Sequence, residues 1–176
     1  MSITTENGLT LVEGFCSPAE VKALVELARW RDVLEVGVWK GRCTIPMARV
    51  ARSLVAVDHF RGDAYTGEAN TLPEFMANIR EYGVQDRVQL VIGPFAKSLD
   101  LLALSRFGLL IYDADHDAQP TAFALDHFAA NLGCGAVIAC HDYDYSQVKA
   151  EVERVAGVLG RRVRLVDRLA ILEEPA

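Results

Sequence analysis

The chain has 176 residues, 51% of them apolar and 24% charged, with a formal net charge of −6. That length suits one domain with a sizeable core, and the composition is that of an ordinary globular protein. The acidic balance argues against a nucleic-acid backbone or an anionic membrane surface as partner.

No apolar run approaches the roughly 20 residues of a bilayer span, and the polar start, Met1 to Gly8, does not read as a secretory leader. Cys16, Cys43, Cys134 and Cys140 form no C-x-x-C pair. Three of them sit in or beside apolar segments, so a reduced, cytoplasmic protein is expected.

In chain order, Ser17-Pro-Ala-Glu20 predicts a helix start. Ser17 caps, Pro18 takes the first helical position and Glu20 closes a capping box; Val21, Leu24, Val25 and Ala28 form the apolar face. A strand follows over 32–36, a helix over 43–52 and a second strand over 54–58. Residues 61–70 are polar and contain glycine, and with Asp63 and Tyr65 they read as a loop and candidate lid. Thr71-Leu-Pro-Glu74 predicts a second capping box on a helix that ends at Gly83. A strand over 88–92 stops at Gly93-Pro94 and leads into a helix over 95–105. The next strand, 108–112, stops at Asp113, and a helix over 119–132 follows. A strand over 136–140 stops at His141-Asp142, a helix runs over 146–156, and two strands flank Asp167-Arg168.

Short apolar strands alternating with amphipathic helices predict an α/β fold, a doubly wound, mostly parallel sheet covered on both faces. No internal repeat or long linker divides residues 1–176, so one domain is expected. Four strands end in an acid or in His-Asp, at the carboxyl ends where open α/β sheets bind ligands.

The segment Val33 to Thr44 carries most of the functional information. Its strand contains Glu35 and runs into a turn with Gly37 and Gly41, spaced G-x-x-x-G rather than as the G-x-G-x-x-G pyrophosphate cradle. An acid beside an open glycine turn suits a ligand with a positive amine and no phosphate, and S-adenosylmethionine is of that kind. Asp58 ends the next strand about 20 residues further on, the spacing at which a carboxylate takes ribose hydroxyls.

Four blocks then stand in order: Leu34-Glu-Val-Gly37 with Gly41, Val57-Asp-His-Phe60, Tyr112-Asp-Ala-Asp-His116 and His141-Asp-Tyr143. In them the sequence resembles class I S-adenosylmethionine-dependent methyltransferases. It is most similar to the small O-methyltransferases whose fourth strand ends in Asp-x-Asp-His and whose fifth ends in His-Asp-Tyr. The resemblance extends from Glu13 to the final strands. It implies a Rossmann-like sheet of seven strands, mostly parallel with a reversed last strand. It also implies methyl transfer from S-adenosylmethionine to a hydroxyl of a small acceptor, a sugar or a phenol or catechol. Many of these relatives hold the acceptor hydroxyl on a divalent metal.

The resemblance implies roles residue by residue. Glu35, Gly37, Trp39 and Gly41 would surround the methionine end of the cofactor. Asp58 would take the ribose hydroxyls, and His59, Pro94 and Phe95 would flank the adenine. Pro94 stands where the family pattern has a polar residue. Asp113 would touch the cofactor or join His141 and Asp142 around the metal, since neighbouring strand ends lie about 5 Å apart.

Mg²⁺, an oxygen-loving ion, is the first choice of metal and Mn²⁺ the second. The imidazole of His141 favours Mn²⁺, Fe²⁺ or Zn²⁺. His116 and Asp115 are the general-base candidates, Tyr143 and Tyr145 could line the acceptor pocket, and His127 receives no role.

Two other functions compete: a cofactor-binding module without chemistry, and a metal-dependent hydrolase using the same Asp/His cluster. A nicotinamide dehydrogenase is a third, and the missing G-x-G-x-x-G speaks against it. With few elements outside the sheet unit, the acceptor pocket is either open or completed by a second copy in a homo-oligomer.

Overall fold

The computed structural model describes residues 3–4, 10–63 and 66–175; Tyr65 of the expected lid lies outside them. The first two strands, β1 (Ile3–Thr4) and β2 (Thr10–Leu11), pair antiparallel as a short ribbon. The main sheet contains β3 (Asp32–Val36), β4 (Ser53–Asp58), β5 (Val88–Ile92), β6 (Leu109–Tyr112), β7 (Val137–Cys140), β8 (Arg162–Val166) and β9 (Leu169–Glu173). Its seven strands run in the order β5-β4-β3-β6-β7-β9-β8. β5, β4, β3, β6 and β7 are parallel, whereas β9 runs antiparallel to both β7 and β8. The expected α/β class, strand number and reversed last strand are all present.

Among the described residues six α-helices cover the sheet: α1 (Pro18–Ala28), α2 (Thr44–Ala48), α3 (Leu72–Glu81), α4 (Phe95–Leu99), α5 (Ala118–Ala130) and α6 (Ser146–Leu159). Strand alternation divides the core. Val33 of β3 joins Val21 and Leu24 of α1, Ile45 and Met47 of α2 and Phe75 of α3 on one face. Leu34 and Val36 join Leu125 and Phe128 of α5 and Val152 of α6 on the other.

Three local expectations need correction. The helix expected over 43–52 stops at Ala48, with Val50 and Ala51 bonded back to Met47 in a closing turn. The helix expected over 95–105 ends at Leu99, and a separate 3₁₀ turn covers Leu104–Arg106. The capping box at Ser17 forms, whereas Thr71 enters α3 with helical dihedrals (φ −89°, ψ −7°) and makes no side-chain cap. A cap needs extended backbone at that position to turn its hydroxyl toward the helix amides.

No described helix is long and apolar enough to cross a membrane.

Candidate active site

Sheet order reverses between β3 and β6, and a cavity of about 320 Å³ opens there, at the carboxyl ends of the strands. Glu35, Gly37, Trp39, Asp58, His59, Asp113, His116 and Asp142 line it, as do Phe15, Cys16, Arg42, Cys43, Tyr145 and Arg168. Gly41, Pro94, Phe95, Asp115 and His141 do not.

The turn after β3 is fixed by backbone geometry. Gly37 has φ +85°, and a Cβ there would lie 1.8 Å from the carbonyl oxygen of Asp113. The glycine therefore lets the end of β6 close onto the turn, bringing Asp113 into the cavity wall. Gly41, at φ +92°, packs beside Phe75.

Trp39 and Phe60 hold left-handed conformations, φ +48° and +59°, uncommon for bulky residues and concentrated at functional sites. One carboxylate restrains both. Asp58 Oδ2 accepts from the amides of Val38 (2.8 Å) and Trp39 (3.1 Å), and Oδ1 accepts from Phe60 (2.6 Å). A carboxylate has about four lone-pair positions, so one acceptor position remains, on Oδ1.

Glu35 points to the α2 side of the sheet, is 2% exposed, and accepts a 2.7 Å hydrogen bond from Thr44 Oγ1. Burial pushes its carboxyl up to about 8; the Thr44 bond opposes the rise, and the charges of Asp113 and Asp58 add to it.

At the far side of the cavity, His141 is 3% exposed among three carboxylates. Its Nε2 pairs with Glu20 Oε2 at 3.2 Å. Its Nδ1 lies 3.2 Å from Asp113 Oδ1 and 3.1 Å from Asp142 Oδ2, shared between them without a well-aligned hydrogen bond to either. Burial disfavours the imidazolium, but Asp113, then Asp142, outweigh it and raise the His141 pKa well above its ordinary value.

Asp142, at φ +57°, binds His116 Nε2 through Oδ2 (2.6 Å) and accepts from Arg168 Nη1 through Oδ1 (2.6 Å). Burial would raise its pKa, but the bond to His116 and the charged contact with His141 prevail and hold it well below the carboxylate range. The Asp142 bond in turn raises the pKa of His116, against its partial burial. The ring of Tyr145 lies 4.8 Å from that of His116.

Glu20 serves two purposes. It closes the α1 capping box by accepting from Ser17 N (2.6 Å), and it accepts from Arg168 N (2.8 Å). The start of α1, the end of β7 and the β8–β9 turn thereby meet at one point.

A family model described as a methyltransferase domain matches residues 34–143, the span that carries Glu35, Asp58, Asp113, His116 and Asp142. The chain belongs to this methyltransferase family. The cofactor-bound Rv0187 protein from MTB is 24% identical, with a TM-score of 0.70 over 92% of this chain and 82% of that one. The SAH-bound Podospora anserina methyltransferase PaMTH1 is 18% identical (TM-score 0.68; 92% and 80% covered). The O-methyltransferase from Bacillus cereus in complex with SAH is also 18% identical (TM-score 0.66; 93% and 84% covered). At such identities the likeness is one of fold. A search of curated proteins finds no match. The chain is an S-adenosylmethionine-dependent methyltransferase of the class I fold.

Several sequence-predicted residues of this methyltransferase stand outside the cavity wall. Pro94 is exposed and its carbonyl accepts from Lys97 N and Ser98 N at the start of α4. Phe95 packs on Tyr112 and Phe123, with ring centroids 5.6 and 6.3 Å away. Asp115 turns its carboxylate to the amide of Asp117 (2.9 Å), an Asx turn. Tyr143 donates to Glu153 at 2.9 Å, and of the two tyrosines only Tyr145 reaches the cavity.

Phe15, Cys16, Arg42 and Arg168 are among the wall residues that no sequence motif singled out. Arg42 binds the carbonyls of Val12 (2.7 Å) and Cys16 (2.5 Å), fastening the segment before α1 to the glycine turn. Arg168 likewise donates to the carbonyl of Phe15 (2.9 Å).

Proposed function

We propose that this methyltransferase transfers the methyl group of S-adenosylmethionine to a hydroxyl of a small acceptor, with His116 as general base. The observation that carries the reading is the 2.6 Å pairing of His116 Nε2 with Asp142, in the same cavity that Glu35 and Asp58 line.

The cofactor's amine would lie toward Glu35 and a ribose hydroxyl on Asp58 Oδ1. His59, whose Nδ1 accepts from Arg61 N at 3.0 Å, would flank the adenine. The acceptor oxygen attacks the methyl carbon, the carbon–sulfur bond breaks, and S-adenosylhomocysteine leaves. With Nε2 paired to Asp142, Nδ1 of His116, which faces Asp63 Oδ2 at 3.9 Å, is the nitrogen we assign to take the acceptor's proton. Asp142, Arg168 and Tyr145 fix the plane of the imidazole, the orientation that general-base catalysis requires.

A sugar or a phenol or catechol is the proposed acceptor class. We read the chain as one catalytic domain acting in the cytoplasm without nucleic acid or membrane, with a second copy as the means of enclosing the acceptor.

A divalent cation fits the strand-end cluster. Ligand atoms of Asp113, His141 and Asp142 lie within 4.8 Å of one another, and the buried His141 Nδ1 lacks a hydrogen bond. The same carboxylates that hold a proton on His141 would attract such an ion in its place. Bound there, it would polarise the acceptor hydroxyl and orient it.

Thermal melts with S-adenosylhomocysteine, alone and with Mg²⁺, Mn²⁺ or chelator, test the reading. A ligand at about 100 times its Kd adds about 2.7 kcal/mol. A shift with the nucleoside is expected, increased by metal. A shift from metal alone would replace the methyltransferase mechanism with hydrolysis.

A further inference from the structure

Cys16 belongs to none of the sequence motifs, yet it is only 4% exposed in the cavity wall, and its thiol lies 3.6 Å from Asp113 Oδ2. Ligand atoms of Cys16, Glu20 and His141 lie within 4.8 Å of one another, as do those of Asp113, His141 and Asp142. His141 is common to both groups, and the contact between Cys16 and Asp113 joins them. The buried His141 Nδ1, without a hydrogen bond of its own, sits beside Asp113 Oδ1 at 3.2 Å.

We propose that Cys16 is a ligand of the divalent-cation site, together with His141 and Asp113, and that the site takes Zn²⁺ or Co²⁺ in preference to Mg²⁺. The proposal rests on the metal reading given above and names the ion's class.

Distances support it. Bonds of about 2.3 Å to sulfur and 2.0–2.2 Å to nitrogen and oxygen put tetrahedral donors about 3.3–3.6 Å apart. The protein holds Cys16 Sγ 3.6 Å from Asp113 Oδ2 and His141 Nδ1 3.2 Å from Asp113 Oδ1, so sulfur and nitrogen flank one carboxylate at its two oxygens. Donor chemistry points the same way. Mg²⁺ requires an octahedral oxygen shell, whereas thiolate with imidazole selects Zn²⁺-like ions.

The charges also balance. The thiol proton leaves to solvent, and the Cys16 thiolate and the Asp113 carboxylate neutralise the dication. His141 binds as neutral imidazole through Nδ1 while Nε2–H donates to Glu20, the usual partner arrangement of a metal-bound histidine. Asp142 then keeps its bonds to His116 and Arg168, so metal and general base need not compete for one carboxylate.

Cobalt titration of the chelator-stripped full chain tests this. The expected result is an intense near-ultraviolet thiolate-to-cobalt band, removed by stoichiometric Zn²⁺ and unaffected by excess Mg²⁺. Cys16→Ser should lose the band. Cys43→Ser, at the other buried thiol of the cavity wall, should keep it. Cobalt binding without the band, its persistence in Cys16→Ser, or no cobalt binding overturns the proposal. If Cys16→Ser does not fold, X-ray absorption of the zinc-loaded native chain decides. One sulfur at about 2.3 Å supports it, and a shell of nitrogen and oxygen alone refutes it. A melt of the stripped protein with S-adenosylhomocysteine separates the two readings: if cobalt fails and the nucleoside still binds, only the metal is lost.

Discussion

Glu35→Gln tests the assignment of the amine site directly. The carboxyl is fully buried and its pKa is pushed up to about 8, against an ordinary 4.5. A carboxyl whose pKa is raised on folding binds a proton that the unfolded chain has released. Its environment therefore costs nothing below about pH 4.5 and increasingly more as pH rises to about 8. At 1.36 kcal/mol per pH unit the full cost is about 5 kcal/mol. For a chain of this size that corresponds to about 10–20 °C in Tm.

Gln keeps an oxygen for Thr44 and cannot ionise. The variant should match the native protein near pH 5 and exceed it by several kcal/mol near pH 9, read by denaturant unfolding across that range. Cofactor binding should reverse the effect, because a cationic amine stabilises the ionised carboxylate. Native affinity for S-adenosylhomocysteine should then rise with pH between about 6 and 8, by up to tenfold per unit, while Glu35→Gln binds weakly and without that slope. An unchanged pH profile of stability in Glu35→Gln would refute the burial argument. A flat native binding profile would remove Glu35 from the amine site.

Three further outcomes are expected. Gly37→Ala places a methyl 1.8 Å from the Asp113 carbonyl oxygen at positive φ, and should cost about 2–5 kcal/mol by chemical denaturation; a loss below 1 kcal/mol would mean that β6 does not close on the turn. Asp58→Ala removes the acceptor of three backbone amides. It should lower both stability and nucleoside affinity by about 2–4 kcal/mol, measured by unfolding and by calorimetry, and intact affinity would exclude the ribose role. His116→Ala should lower kcat about 10²–10⁴-fold with nucleoside binding retained; a normal rate would pass the proton to another group.

The sheet was legible because each main strand is a short apolar run closed by a turn residue or an acid, a local pattern. The candidate-site edge was legible for the same reason: Glu35, Asp58, Asp113 and His141 stand on or just beyond strand ends, where parallel pairing must gather them. The helix ends were less so. At Thr71 the residue types of a capping box are present, but the chain arrives already helical, with Thr71 N bonded to the Phe60 carbonyl at 3.2 Å. Nothing local betrays that bond. Cys16 and Arg168 were illegible altogether, because their places depend on contacts such as Ser17 to Asp167 and Glu20 to Arg168, 150 and 148 residues apart.

Those contacts make the two ends of the cavity physically different. At the reaction end, every carboxylate already has a protein partner: Glu20 has His141 and Arg168 N, Asp142 has His116 and Arg168, and Asp113 has His141 and the Cys16 thiol. Paired in this way, buried charges resist rearrangement, since breaking one pair leaves another uncompensated. At the cofactor end, Glu35 has only Thr44 among the described residues, and Asp58 keeps one acceptor position. These are the groups whose energy a cationic, hydroxyl-bearing ligand can lower. On the proposed assignment the base is thus oriented before any ligand arrives, and the unspent electrostatic interaction lies where the cofactor would bind.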